Sequence, residues 1–218
     1  MEHTIKIIGY SRMSAVPDKI RLRIKIENMT KEYCEAMEYA EKAQHEMIEV
    51  VKRANLAESE LKTLSWGITA EYSYHTNERN EQMKVFDGYR YRHSFVIELG
   101  MDHKVAGGIL NEIVQSSLTP EIGLEYVVSN PETYKDKLLE DAVADSKHQA
   151  EVIARAADTR LGQVVSIAYT NRNGEIMRGT ENQLAVPAFL CARKIDMPDL
   201  TPAEVELSAS VAVEWELL

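Results

Sequence analysis

The side chains of this 218-residue chain that could do chemistry are six histidines, two cysteines and a run of carboxylates. A metal centre needs ligands that return at a set spacing, such as two histidines four residues apart on a helix. His3, His45, His75, His93, His103 and His148 contain no such pair. Cys34 and Cys191 stand far apart, in neither metal-ligand nor disulfide-framework spacing, and read as two reduced thiols. No nucleophile elbow, phosphate-binding glycine loop or dinucleotide fingerprint occurs. His93 falls on the apolar face of a strand, where a histidine is either a buried acid–base group or a core residue satisfied by hydrogen bonds. The second reading is preferred. Glu132, Asp136, Glu140, Asp141 and Asp145 could hold a divalent cation or act as acid and base. Lys135, Lys137 and Lys147 are interleaved with them, so a solvated helix face with ion pairs one turn apart is the simpler account.

Arg21, Arg23, Lys25, Arg90 and Arg92 form a basic stripe with Tyr89 and Tyr91 nearby, a pattern that suits single-stranded nucleic acid. Strand alternation, however, sends the tyrosines to the opposite face from the arginines. The C-terminal strand carries Glu204, Glu206, Glu214 and Glu216 on its polar face, and pairing across a sheet with the basic stripe is the preferred expectation.

The elements that must position these groups follow from hydrophobic period. Residues 4–10 read as a short strand ending near Gly9. Residues 19–27 alternate, with Ile20, Leu22, Ile24 and Ile26 on one face and Lys19, Arg21, Arg23, Lys25 and Glu27 on the other. Thr30 is the expected N-cap of a helix running to about residue 54, with Cys34, Met37, Ala40, Met47, Ile48 and Val51 as its apolar face. Residues 61–75 and 89–99 alternate as long strands around a polar hairpin loop at 76–84. Asp102 caps a short helix faced by Val105, Ala106, Ile109, Leu110 and Ile113. A strand at 121–128 precedes Asn130-Pro131-Glu132, a strong helix start. That helix runs to about residue 159 on a stripe of Leu138, Leu139, Ala142, Val143, Ala150, Ile153 and Ala157. Strands at 164–169 and 205–217 follow, separated by a stretch from 171 to 202 broken by glycine and proline. Hairpins and one-sided strands predict an α+β fold of mostly antiparallel sheets with helices packed on one face.

Composition is that of a globular chain: 44% hydrophobic and 28% charged, with a formal charge of −10. The negative charge works against nonspecific binding to phosphate backbones or anionic lipid. The N-terminal residues Met1 to Ile7 have no signal-peptide pattern, which gives a cytoplasmic expectation, with a periplasmic location as the alternative. The longest apolar run, Leu184 to Ala192, is interrupted by Pro187 and far too short to span a bilayer.

Four segments, in order, resemble the bacterial SIMPL-domain family. They are Ile5-Lys6-Ile7-Ile8-Gly9 with Val16-Pro17-Asp18; Gly88-Tyr89-Arg90-Tyr91-Arg92-His93 running into Val96-Ile97-Glu98-Leu99 and Asp102; the alanine-spaced helix from Leu138 to Ala157 closed by Leu161-Gly162-Gln163-Val164; and Pro202 to Val211. The resemblance implies two intertwined α/β sandwich halves and a role in hollow oligomeric assembly or protein interaction, with some members linked to stress tolerance. It implies no catalytic residue. Tyr10 stands where the family often has a second glycine.

The expectation is therefore one SIMPL-type module over 1–218, divided into subdomains of about 1–80 and 81–218, with the C-terminal strand returning to the first and 171–200 as an irregular arm or loop. It is expected to work without enzyme activity, cofactor or metal, as a homo-oligomer with an unknown protein partner. Trp66, Tyr72, Tyr74, Tyr89, Tyr91, Phe189, Leu190 and Trp215 are its candidate interface, although filling the core would equally account for them. The alternatives are a small-molecule or catalytic site between the halves using His93 and nearby tyrosines, and nucleic-acid binding through Arg21, Arg23, Arg90 and Arg92.

Overall fold

A computed structural model describes residues 3–76, 82–169, 182–184 and 201–218. In chain order its elements are β1 (Thr4–Ala15), β2 (Lys19–Thr30), α1 (Tyr33–Arg53), β3 (Lys62–Thr76), β4 (Gln82–Gly100), α2 (His103–Gln115), β5 (Glu121–Val127), α3 (Glu132–Ala156), β6 (Leu161–Ala168), β7 (Asn182–Leu184) and β8 (Val205–Leu217). The fold is α+β, with antiparallel pairing throughout the strand pairs described below.

The chain forms two compact units, each assembled from separated stretches. One comprises Met1–Asp18, Val127–Thr180 and Pro202–Leu218, and the other Lys19–Tyr126 and Glu181–Thr201. A boundary near residue 80 is thus corrected: β3 and β4 pair with each other from Lys62↔Val96 to Thr76↔Gln82, and a division there would cut this hairpin. The C-terminal strand does return to the first, pairing with β1 from Thr4↔Glu216 to Ala15↔Val205. Most of the 171–200 stretch lies outside the described residues; within it, β7 pairs with β5.

In the first unit the strand order is β1-β8-β6, with α3 across one face. The buried positions of α3 are Leu138, Ala142, Ser146, Ala150 and Ala154, one every four residues. Four steps of 100° overshoot a full turn, so this line slants around the helix and leaves Ile153 exposed, contrary to its place in the expected stripe. Small side chains let α3 approach the sheet closely. At Gly9 the approach leaves no space for a side chain: a Cβ there would overlap the carbonyl oxygen of Ala142. The glycine therefore does not end β1, which runs six residues further to Ala15. The Tyr10 N–H donates to Asp145 Oδ2 at 2.9 Å, which ties the strand to the helix.

The second unit holds the order β3-β4-β2-β5-β7. Ile20, Leu22, Ile24 and Ile26 of β2 are fully buried and face Phe95, Ile97 and Leu99 of β4. Burial of each such side chain stabilises by roughly 1.5–3 kcal/mol. Two helices cover this face. α1 seats Ala40, Ala43, Met47, Val50 and Val51, and α2 seats Ala106, Ile109, Leu110 and Ile113. Asp102 caps α2 as expected, accepting from the N–H groups of Lys104 and Val105 at 2.9 and 3.2 Å. Thr30 does not cap α1. It still belongs to β2, and its hydroxyl donates to the Glu32 carbonyl. The first turn of α1 also turns its alanine, not its larger residues, inward: Ala36 is buried, while Cys34 and Met37 are exposed.

Candidate binding groove and aromatic arm

His93 sits mid-strand in β4, opposite Ile26 on one side and Trp66 on the other. Alternation sends it inward with Tyr91 and Phe95, and it is 3% exposed. Both ring nitrogens are engaged: Nδ1 with the Tyr91 hydroxyl at 2.8 Å and Nε2 with the Thr63 hydroxyl at 2.9 Å. In the neutral ring one nitrogen donates and the other accepts, and each hydroxyl can supply the complementary role. The ring lies against Phe95 with centroids 3.7 Å apart. Burial pushes the His93 pKa down to about 4. Burial, and then the neighbouring Tyr39, push the Tyr91 phenol far above its ordinary value. Both groups are neutral at neutral pH, and both ring nitrogens of His93 are already engaged.

His93 forms the floor of a cleft of about 520 Å³ between α1 and β3. Met37, Glu38, Ala40, Glu41 and Gln44 make its helical wall, and Thr63 and Trp66 its strand wall. Thr63 is the only hydroxyl in the lining, and it is held by His93. No trio of His, Cys, Asp or Glu able to hold a metal ion occurs among the described residues. The cleft lies within the second unit, so the part of the site placed by sequence between the halves is here built by one of them. Sequence reading also missed Met37, Glu38 and Glu41 as lining residues. The available signal was their recurrence at three- and four-residue steps with Gln44, along the flank of α1 beside its alanine stripe.

A second feature is the far end of the β3–β4 hairpin. Pairing of β4 with β2 stops at Thr30↔Tyr89, whereas pairing with β3 continues to Thr76↔Gln82. Residues 71–76 and 82–88 therefore project as a two-stranded arm. Gly88 stands where the arm leaves the sheet, with φ of 141° and space for a Cβ blocked by the Thr30 carbonyl oxygen at 2.2 Å. Along one face of the arm the rings meet edge to face: Tyr33 with Tyr89 at 5.4 Å, Tyr89 with Phe86 at 5.2 Å and Phe86 with Tyr72 at 5.6 Å. Lys84 Nζ rests 3.9 Å from the centre of the Tyr72 ring. Tyr72 and Tyr74 are 46% and 65% exposed, and Trp66 further along β3 is half exposed.

The candidate interface set is thereby divided. Trp66, Tyr72 and Tyr74 are exposed and Tyr89 is half-buried. Tyr91 and Trp215 are corrected to core residues: Tyr91 is held by His93, and the Trp215 Nε1–H donates to Ser146 Oγ at 3.2 Å under α3. Phe189 and Leu190 lie outside the described residues.

The basic stripe is neutralised where it stands. Arg21 pairs with Glu98 at 2.7 Å, Arg23 with Glu125 at 2.6 Å, and Arg90 and Arg92 share Glu27 and Glu71. The Arg90 guanidinium holds the Glu27 carboxyl below its usual range, and Arg21 does the same for Glu98. The expected partners were wrong. Glu206 and Glu214 of β8 belong to the other sheet, where Glu206 pairs with Arg12 and Glu214 accepts from Thr4 and Ser166. A nucleic-acid surface loses its uncompensated positive face. On α3, Lys135–Glu132, Lys137–Asp141 and Lys147–Glu151 pair along the helix as expected.

Comparison with known proteins agrees with the architecture. The model of the SIMPL family, described as a protein of unknown function (DUF541), matches residues 5–215. The chain belongs to the SIMPL family. A 26 kDa periplasmic immunogenic protein of Brucella melitensis is 27% identical over 98% of this chain and 84% of its own length. The uncharacterized protein YggE of Escherichia coli K12 is 23% identical over 74% of this chain and 63% of its own length. YggE of Edwardsiella ictaluri is 24% identical over 83% and 73%. None of these names states an enzymatic activity. Among the described residues no helix is long and apolar enough to cross a membrane.

Proposed function

We propose that this SIMPL protein is a non-enzymatic interaction module that assembles with copies of itself through the β3–β4 arm. The observation that carries the reading is the exposed aromatic ladder of the arm. A hairpin that outruns its sheet lacks the helix cover that would bury such rings. Exposed tyrosine, tryptophan and phenylalanine in one row are the composition of interface centres. Within the arm, residues 71–76 of β3 also form a sheet edge, and an edge that carries exposed apolar side chains is a surface that proteins normally cover. Light scattering during size-exclusion chromatography tests the proposal. The wild type should run at a stable multiple of 24.7 kDa, and a Tyr72→Ser/Tyr74→Ser variant at the monomer mass. A wild type that is monomeric at every concentration overturns it.

A second reading, ligand binding in the α1–β3 cleft, is favoured by the enclosed His93 and the half-exposed Trp66 at its wall. The naming of the Brucella melitensis relative as periplasmic supports an exported location over the cytoplasmic one. Fractionation of the native cell distinguishes the two.

A further inference from the structure

The α1–β3 cleft has three properties that point to one kind of occupant. The first is the free edge of β3. Its only sheet neighbour is β4, so the backbone N–H and C=O groups on its outer side lack a strand partner among the described residues. Unpaired edge groups accept an additional strand, with alternate side chains dropping into whatever lies beside the edge. The second is the flank of α1, whose Met37, Glu38, Glu41 and Gln44 line the cleft together with Thr63 and Trp66 of β3. An edge strand beside a helix is the geometry in which an extended peptide finds main-chain partners on one side and side-chain pockets on the other.

The third is charge. Glu38 and Glu41 are the charged residues lining the cleft, and both are exposed. Neither makes an ion pair among the described residues, and Lys42, the cation nearest in sequence, pairs with neither. Several carboxylates of this unit are matched, Glu49 with Lys52, Glu112 with Arg53, Glu98 with Arg21 and Glu125 with Arg23; among the described residues Glu38 and Glu41 are left unmatched and stand side by side at the cleft. The floor offers no compensating positive charge, because His93 is neutral and committed to Tyr91 and Thr63. Trp66 and Met37 add an indole face and a thioether, surfaces that take the alkyl stem and charged head of lysine or arginine.

We propose that the α1–β3 groove binds an extended, basic peptide segment of a partner protein, which adds to β3 as a further strand and directs lysine or arginine side chains to Glu38 and Glu41. Apolar side chains at alternate positions rest on Trp66 and Met37. The residues involved differ from those of the arm, so the two proposals stand or fall separately.

Trp66 emission reports occupancy, since Trp215 is buried in the other unit. The probe is a synthetic peptide of alternating valine and lysine, titrated into the full-length protein. The expected result is a saturable blue shift of emission, absent in Trp66→Phe and weakened by about tenfold or more in Glu38→Lys/Glu41→Lys. An alternating valine–glutamate peptide should give no shift. A valine–lysine peptide N-methylated on alternate amides should also fail, because it cannot complete the strand ladder. Equal binding of the acidic peptide removes the charge argument. Equal binding of the N-methylated peptide, or of lysine amide alone, removes strand addition. No shift with any probe at millimolar concentration overturns the proposal outright. Circular dichroism of the charge-reversal variant confirms that it is folded, and its mass by light scattering should match that of the wild type.

Discussion

The two units use the same parts, a sheet with helices on one face, and finish them differently. Under α3 the stripe is Leu138, Ala142, Ser146, Ala150 and Ala154, and the strand opposite carries Gly9. Helix and sheet close up, and the large ring of Trp215 beneath the helix spends its N–H on Ser146. In the unit around β2 and β4 the strands outrun the helices. What α1 leaves uncovered is the groove over His93, and what β2 leaves unpaired is the arm. Closure is incomplete in the first unit too, since Val165 and Ile167 on the edge strand β6 are about half exposed. The lesson is one of length and side-chain size. Small residues on a helix bring it down close onto a sheet, whereas a hairpin longer than its neighbours leaves its rings uncovered by them.

The contrast is broken most severely at Gly9. A Gly9→Val substitution forces α3 away from β1, because the added carbons overlap the Ala142 carbonyl. Urea unfolding should show a loss of about 4 kcal/mol or more. An unchanged midpoint would mean that the close approach is not what holds this unit. The next effect is acid sensitivity of the other unit. His93 titrates near 6.5 when unfolded and at about 4 when buried. Between those values the unfolded chain takes up a proton that the folded chain refuses. Stability is therefore full above pH 6.5 and falls as pH drops towards 4, by on the order of 3 kcal/mol. Glu27 and Glu98, whose pKa values are lowered by Arg90 and Arg21, add their loss only below the ordinary carboxylate range. Urea midpoints across pH 4 to 7 should flatten in His93→Gln, and a parallel curve for the variant would assign the slope elsewhere.

A smaller change is expected at Trp215→Phe. The ring volume is largely kept, but Ser146 Oγ loses its donor in a fully buried place. A cost of about 1–2 kcal/mol should appear in thermal or urea unfolding. The smallest effect sharpens the contrast from the other side. Tyr74→Ser removes the most exposed ring of the arm, so monomer stability should change by less than about 0.5 kcal/mol. The oligomer mass should fall all the same, and a large loss of stability would show that the ring is structural.

Much of this architecture was legible from alternation and punctuation. The faces of β2, β4 and β8, the Asp102 cap and the proline start of α3 are local signals, and they hold in the structure. The errors fall where a neighbour decides. Gly9 reads as a strand end by propensity, but its lack of a side chain is used by α3. Met37 and Cys34 look like core by hydrophobicity, but the surface they would meet is reached instead by Ala36. The arginines of the basic stripe were expected to meet the glutamates of the C-terminal strand. Strand order gave them Glu98, Glu125, Glu27 and Glu71 instead.

By itself the sequence determined the order and type of most helices and strands, the apolar faces of β2, β4 and β8, and membership of the SIMPL family, because period and capping act over a few residues. Only the tertiary structure decided that Tyr91 and Trp215 are core while Tyr72 and Tyr74 are exposed. It also decided that His93 is locked between Tyr91 and Thr63, and that Glu38 and Glu41 line a groove. These tyrosines and tryptophans have the same apolar strand setting in the sequence. What separates them is whether another element reaches far enough to cover them, and that depends on strand order and relative length, which no local pattern encodes.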